Sequence, residues 1–181
     1  MLEDADCVIH CSTVGRTSGE TNGVNVLYPE IEGMMNLLDC CEKKNIMRFI
    51  LVGCISNVMT GKYWNNFNES HWANPDICDI YERAKFFVEK CAWNYYEHNK
   101  KNFKLTVFLP GLLIGPLKKR GERSTNVIFF KKILKKKLDW IINIKIPVVD
   151  VMDVTSAILK SIKNVSTFNQ RYILNEGVYW L

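Results

Sequence analysis

Long hydrophobic runs are missing from this sequence of 181 residues. No apolar stretch reaches the roughly 18 residues of a membrane-spanning helix, so we expect no membrane span. The first residues, MLEDADCVIHC, are acidic and then briefly apolar. They lack the basic start and the long apolar stretch that are typical of a secretory signal peptide. These absences favour a cytoplasmic protein.

Paired C-x-x-C spacing is also missing, although the chain has seven cysteines. Cys40 and Cys41 are neighbours, and the others are scattered. We therefore expect neither a disulfide framework nor a bound metal ion. Reduced thiols in an intracellular compartment are the better interpretation.

Strong charge of one sign is lacking, because the net charge is only +5. Much of the positive charge lies in KKRGER and KKILKKK, and the second segment is typical of a solvated helix face. Nucleic-acid binding usually requires a stronger basic patch on one face, together with a binding motif. We expect no nucleic-acid partner.

Strand-like and helix-like segments alternate along the chain. The predicted strands are DCVIHCS, MRFILVGC, KLTVFLP, KIPVVDV and RYILN, and the predicted helices are PEIEGMMNLLDCCEKKN, IYERAKFFVEKCAWNYYEHN, NVIFFKKILKKKL and VTSAILKSIKN. The first helix has Pro29 near its first turn. Alternation of this kind predicts an α/β fold with a mainly parallel sheet. Ligands of such sheets bind beyond the carboxyl ends of the strands, where HCSTVGR and GCISN lie.

Tyr81 and Lys85 stand four residues apart near the start of a predicted helix. Residues at this spacing share a helix face. A neighbouring ammonium lowers the pKa of a tyrosine from its usual value of about 10, so that it can act as a general acid or base. The pattern is also common on helices without any activity, so it needs support from the rest of the chain.

Six further segments supply that support, in register along nearly the whole chain: ADCVIHCST, VNVLYPEIEGMMNLLDCC, MRFILVGCISNV, NESHW, YERAKFFVEKCAWNYYEHNKKNFKLTVFLPGLLIGP and VVDVMDVTSAIL. They resemble, in the same order, motifs of the extended short-chain dehydrogenase/reductase family within the NAD-dependent epimerase/dehydratase superfamily. The closest likeness is to the dihydroflavonol 4-reductase and cinnamoyl-CoA reductase branch. The resemblance implies hydride transfer between NADP, or NAD, and a carbonyl or hydroxyl carbon of a small molecule.

The resemblance also implies roles for individual residues. Tyr81 is the implied proton donor, and Lys85 lowers its pKa and contacts the nicotinamide ribose. The implied cofactor contacts are His10, Cys11, Ser12 and Thr13 after the first strand and Pro110, Gly111, Leu112 and Leu113 after the third. The candidates for the substrate wall are the loop aromatics Tyr63, Trp64, Phe67 and Trp72, which could equally pack on one another.

One departure from the family pattern concerns the substrate oxygen. The family's T-S-S segment ends in a serine that hydrogen-bonds the substrate carbonyl, and this chain has VGC there, with Cys54 in the place of that serine. A thiol is a weak donor. Ser56 is the alternative, because residues i and i+2 of an extended chain face the same way.

The second departure concerns the cofactor. Family members begin with a strand, a G-x-x-G-x-x-G turn and a helix whose N-terminus binds pyrophosphate. Here TVGRTSGETNG follows the wrong strand and lacks that spacing, and the sequence begins where the family's fourth strand begins. We therefore expect an incomplete Rossmann-like, doubly wound parallel sheet without its first three strands. Such a chain would be truncated or a fragment, and cofactor binding by it alone is doubtful.

The sequence has no linker, so we expect one domain over residues 1–181. Residues 1–116 would form the C-terminal half of the Rossmann core, and residues 117–181 a substrate-side segment with returning core elements. Three functions stay open: a reductase, a catalytically inactive family member used for binding or without function, and a sugar-nucleotide epimerase or hydroxysteroid dehydrogenase. The PEIEG and NESHW segments favour the reductase branch.

Overall fold

A computed structural model describes residues 2–12, 23–61, 66–99, 102–116, 125–137, 143 and 145–180. Strands and helices alternate in it, as the sequence predicts. The strands are β1 (Cys7–His10), β2 (Arg48–Val52), β3 (Lys104–Pro110), β4 (Leu112–Ile114), β5 (Lys145–Asp150), β6 (Gln170–Leu174) and β7 (Gly177–Trp180), and the helices are α1 (Gly23–Lys43), α2 (Ser56–Met59), α3 (Ile80–His98), α4 (Thr125–Leu134) and α5 (Val151–Ser161).

The main sheet has the strand order β1-β2-β3-β6, and all its pairings are parallel. In the register of the sheet, His10 stands opposite Leu51, and Pro110 stands opposite Leu174. The carboxyl ends of the strands therefore meet at one edge, which we call the carboxyl edge. Among the described residues β1 pairs with β2 alone, and its Ile9 is 41% exposed.

Helices cover both faces of the main sheet. On one face, α1 and α3 pack against each other and enclose a core that includes Phe49, Leu51, Leu105, Val107 and Leu109. On the other face, α5 packs near β3, and Arg48 donates hydrogen bonds to the carbonyl oxygens of Ser161 (2.8 Å) and Ile162 (3.2 Å). A cation at the C-terminus of a helix is favourable, because the helix dipole is negative there. The predicted α/β, Rossmann-like class is confirmed.

A second, smaller sheet has the order β4-β5-β7, with β5 and β7 antiparallel. The sequence did not predict β4 or β7, because each is too short to leave a clear pattern. Gly111 joins the two sheets, and its N–H donates to the Leu174 carbonyl at 3.0 Å. A Cβ atom at Gly111 would stand 2.6 Å from the Pro147 carbonyl oxygen.

Gly111→Ala is expected to destabilise the protein by about 1–3 kcal/mol, because its methyl group would overlap a backbone carbonyl that cannot rotate away. Urea unfolding monitored by circular dichroism measures the change. Gly33→Ala is the control, since a Cβ there meets nothing within 4 Å and the residue lies inside α1. Alanine favours helices over glycine, so the control should raise stability. Equal stability of both variants would contradict the prediction.

Two boundaries differ from the expectation. Helix α1 begins at Gly23, six residues before Pro29, so the proline lies inside the helix and not near its first turn. The segment before Pro29 has no clear apolar period, which is why the start was misplaced. The segment between the predicted strand MRFILVGC and the predicted helix that begins at Ile80, for which we predict no element, contains the short helix α2. Over the residues that the structure describes, no helix is long and apolar enough to cross a membrane.

Candidate functional site

Helix α3 begins with a capping box that fixes its first turn. The Asp79 side chain accepts a hydrogen bond from the Glu82 N–H at 2.8 Å, and the Glu82 side chain accepts one from the Asp79 N–H at 3.2 Å. Both bonds satisfy donors that a helix start leaves unpaired. Tyr81 lies in this first turn and is half-buried.

Lys85 lies one turn later and is only 4% exposed. Its Nζ donates a hydrogen bond to the Ser12 carbonyl oxygen at 3.3 Å, which places the ammonium beyond the end of β1. Burial lowers the pKa of this ammonium, whereas the Glu30 carboxylate and the thiols of Cys54 and Cys11 raise it. Tyr81 and Lys85 therefore stand on one helix face beside the carboxyl edge.

Cys54 and Ser56 occupy different environments. Cys54 follows β2 and is half-buried, and its thiol is close enough to Lys85 to affect the pKa of the ammonium. Ser56 opens α2, and its hydroxyl is buried and finds no hydrogen-bond partner among the described residues. The chain just before Cys54 is tied to β3, because the Gly53 N–H donates to the Phe108 carbonyl at 2.8 Å. Of the two, Cys54 is the more accessible side chain.

His10 ends β1 beside the same group. Its Nδ1 is buried without a hydrogen-bond partner among the described residues, and its ring stacks on Phe49 with a centroid separation of 6.3 Å. Burial lowers the pKa of the imidazole, the Lys85 ammonium lowers it further, and the Glu30 carboxylate raises it. Cys11 is exposed as a residue, but its thiol group is partly buried. This burial raises the pKa of the thiol, and the Lys85 ammonium lowers it.

The residues after β3 take part in the link between the two sheets. The Pro110 carbonyl accepts a hydrogen bond from the Ile55 N–H at 3.0 Å. Leu112 and Leu113 belong to β4 and pair with Val148 and Val149. Apart from Lys85 on α3, the predicted cofactor contacts within the described residues thus lie at or just after the carboxyl ends of β1 and β3. Thr13, also predicted to contact the cofactor, lies outside the described residues.

The predicted substrate wall is only partly described, because Tyr63 and Trp64 lie outside the described residues. Trp72 packs against two cations, the Arg171 guanidinium 3.8 Å from the ring centroid and the Lys90 ammonium 3.4 Å from it. Its ring also meets Phe86 edge to face. Trp72 thus packs on side chains of α3 and β6 and not on another of the loop aromatics among these contacts, and its role toward substrate stays a prediction.

A buried polar network that the sequence analysis missed holds α3 in place. Glu89 is fully buried and forms an ion pair with Arg171, with 2.7 Å between Oε1 and Nε. Glu89 also accepts from Trp93 Nε1 at 3.1 Å and from Asn57 Nδ2 at 2.7 Å. Asn57 Nδ2 reaches the Lys85 carbonyl at 3.2 Å, so the network connects directly to the turn that carries Lys85. The sequence signal for this network is the position of Glu89, four residues after Lys85 on the same helix face.

A cavity of about 330 Å³ lies elsewhere, against the smaller sheet. Its lining residues are Ile114, Phe130, Ile146, Val148, Glu176 and Tyr179. None of the predicted site residues lines it, so it is a separate feature. Within the described ranges, no cluster of three or more His, Cys, Asp or Glu side chains is placed to hold a metal ion.

The described residues fit the nicotinamide side of a dinucleotide. Lys85 supplies a buried ammonium with three N–H donors, and the buried His10 Nδ1 is a polar atom without a partner among the described residues. Both lie beyond the carboxyl ends of parallel strands, where such ligands bind.

The chain belongs to the NAD dependent epimerase/dehydratase family, whose model matches residues 1–177. This confirms the family that the sequence motifs indicated. One relative is the bifunctional dihydroflavonol 4-reductase/flavanone 4-reductase of Malus domestica, 25% identical over 124 residues, which cover 64% of this chain and 35% of the relative. Another is the ketoreductase azaE of Aspergillus niger, 23% identical over 192 residues, 97% of this chain and 57% of the relative.

The fold is similar to that of yeast methylglyoxal/isovaleraldehyde reductase Gre2 complexed with NADPH. The TM-score is 0.83 at 23% identity, over 97% of this chain and 57% of Gre2. This likeness shows the fold. The chain spans about half the length of the curated relatives that it matches over most of its own length, between 50% and 57% of them.

Proposed function

We propose that this chain carries the catalytic part of an NADPH-dependent reductase that converts a small aldehyde or ketone to an alcohol. The observation that carries the proposal is the buried Lys85 ammonium at the carboxyl edge, one helical turn after Tyr81. Burying an ammonium costs desolvation free energy, so buried lysines are uncommon. Titratable groups in such environments cluster at functional sites. Membership of the family supports the same conclusion.

In this reaction the bound cofactor supplies a hydride to the carbonyl carbon. Tyr81 gives its hydroxyl proton to the carbonyl oxygen, and the Lys85 ammonium stabilises the phenolate that remains. The Cys54 thiol is the candidate hydrogen-bond donor to the same oxygen. The Ser12 carbonyl, together with the turn of α3 that Asn57 holds, keeps Lys85 in position.

The choice of cofactor and substrate rests on the relatives. Gre2 is described as a methylglyoxal/isovaleraldehyde reductase with bound NADPH, and azaE is described as a ketoreductase. Gre2 supports NADPH and a small aldehyde, and azaE supports a ketone as the substrate class, with NAD as the alternative cofactor.

The test begins with the protein in the length in which it occurs in its source cells, established by intact mass. NADPH consumption is then followed with methylglyoxal, isovaleraldehyde and a panel of small ketones. Turnover with at least one of them supports the proposal. Absence of turnover with NADPH and with NADH would favour the inactive family member. Conversion of a nucleotide sugar without net loss of cofactor would favour the epimerase.

Cys54→Ser is expected to raise kcat/KM by at least about tenfold, because a hydroxyl is a better hydrogen-bond donor than a thiol and a single oxyanion donor is worth 100-fold or more. Steady-state kinetics with the best carbonyl substrate measures the gain. Ser56→Ala is the comparison. A large loss in Ser56→Ala without a gain in Cys54→Ser would assign the donor to Ser56 instead.

A further inference from the structure

Glu30 occupies a position of α1 where an apolar side chain is expected. Val26, Met34, Leu38 and Cys41 of α1 are buried in the core. Glu30 lies on the same helix face, four residues after Val26 and four before Met34. Its exposure is only 8%. A carboxylate buried in this way costs free energy unless a cation or several donors compensate it.

A candidate cation lies on the neighbouring helix. Helix α1 packs against α3, which carries the buried Lys85, and the Lys85 Nζ donates to the Ser12 carbonyl two residues after β1 ends at His10. Glu30 raises the pKa of both Lys85 and His10, as a carboxylate does when it attracts a nearby cation. Three ionisable side chains from three elements thus form one group, which we call the Glu30 cluster.

We propose that Glu30 is a positioning residue that balances the buried charge of Lys85 and holds its ammonium at the carboxyl edge. The carboxylate acts through Lys85 and needs no contact with the substrate. Its role in the reaction rests on the proposed function, whereas its effect on the cluster can be measured without turnover. A neutral residue in its place would leave Lys85 buried with fewer compensating groups.

Other ionisable groups face Lys85 and must be considered. Cys11 from the end of β1 and Cys54 from the turn after β2 both interact with its ammonium, and Tyr81 shares its helix face. His10 faces Lys85 as well as Glu30. Among these named groups Glu30 supplies the carboxylic acid, so Glu30→Gln removes that acidic side chain from the cluster.

The first test is the titration of His10, followed by NMR of the ¹⁵N-labelled imidazoles and assigned with His10→Gln. In Glu30→Gln the His10 midpoint is expected to fall by at least about 0.5 pH unit, since a nearby carboxylate that favours the charged imidazole is lost. Glu32→Gln is the control, because Glu32 lies on the same helix and is exposed. An unchanged midpoint in Glu30→Gln would overturn the proposal.

The second test is a double-mutant cycle of Glu30→Gln and Lys85→Met, measured by urea unfolding. The two changes together should cost less than the sum of the single changes, because each single variant leaves one buried charge unbalanced. Additive costs would overturn the pairing. Glu30→Asp keeps the charge, so it should keep the His10 midpoint near the wild-type value; a fall equal to that in Glu30→Gln would also contradict the proposal.

The cycle and the titration separate this inference from the reductase proposal. If the protein turns over no carbonyl substrate but both tests succeed, the cluster stands and the proposed function fails. If turnover is found and Glu30→Gln leaves both the His10 midpoint and the basic limb of the pH profile unchanged, the function stands and the role of Glu30 fails. If Glu30 has the proposed role, the basic limb of the pH profile of Glu30→Gln moves to lower pH, because Lys85 loses its proton more easily in that variant.

Discussion

Tyr81→Phe is expected to lower kcat for carbonyl reduction by roughly 100-fold to 10,000-fold, the range that a positioned general acid contributes. The change removes one oxygen atom from the first turn of α3 and leaves the capping box of Asp79 and Glu82 intact. Steady-state kinetics at saturating NADPH measures the loss. The protein must be tested in the length in which it occurs.

The control for this variant is Tyr96→Phe, which removes a hydroxyl from the same helix far from Lys85. Its kcat should stay close to that of the unmodified protein. The affinity for NADPH, measured by fluorescence titration, should be similar in all three proteins. If Tyr81→Phe turns over as fast as the unmodified protein, Tyr81 is not the proton donor and the proposed reaction needs another acid.

Glu89→Gln is expected to lower the free energy of unfolding by about 3–5 kcal/mol, the usual cost of breaking a buried ion pair from one side. The Arg171 guanidinium would stay buried opposite a neutral amide, and the bonds from Trp93 and Asn57 would lose a charged acceptor. Urea unfolding monitored by tryptophan fluorescence measures the change.

Glu97→Gln serves as the control, because Glu97 lies on the exposed side of the same helix. Surface substitutions of this kind usually change stability by less than about 0.5 kcal/mol. A loss below about 1 kcal/mol in Glu89→Gln would contradict the prediction. It would mean that water or a neighbouring group replaces the carboxylate at little cost.

Much of the fold follows from the sequence, because the central strands β2 and β3 are buried on both faces and appear as continuous apolar runs. The segment RFILV became β2 and KLTVFLP became β3, and the two strands pair in parallel as predicted. The pair of Tyr81 and Lys85 followed from helical spacing, and the family followed from six motifs in register. Each motif is a local signal, and the family follows because six such signals occur in the same order along the chain.

The rest depends on contacts between distant segments. Arg171 meets Glu89 across 82 positions of the chain, and nothing near either residue marks the other as its partner. Burial of Glu30 could have been noticed from its place in the apolar row of α1, but its cation lies on another helix. The burial of the Ser56 hydroxyl depends on α2, whose four residues are too few for a periodic pattern.

The ion pair of Glu89 and Arg171 also has a consequence for the order of folding events. Helix α3, with its capping box, is a local structure that can form within microseconds, whereas the ion pair has to close a loop of 82 positions. Parallel strand pairing such as β3 with β6 is slow for the same reason, because the loss of chain entropy precedes the gain in contacts. The helix that carries Tyr81 and Lys85 can therefore form before the ion pair fixes it to β6.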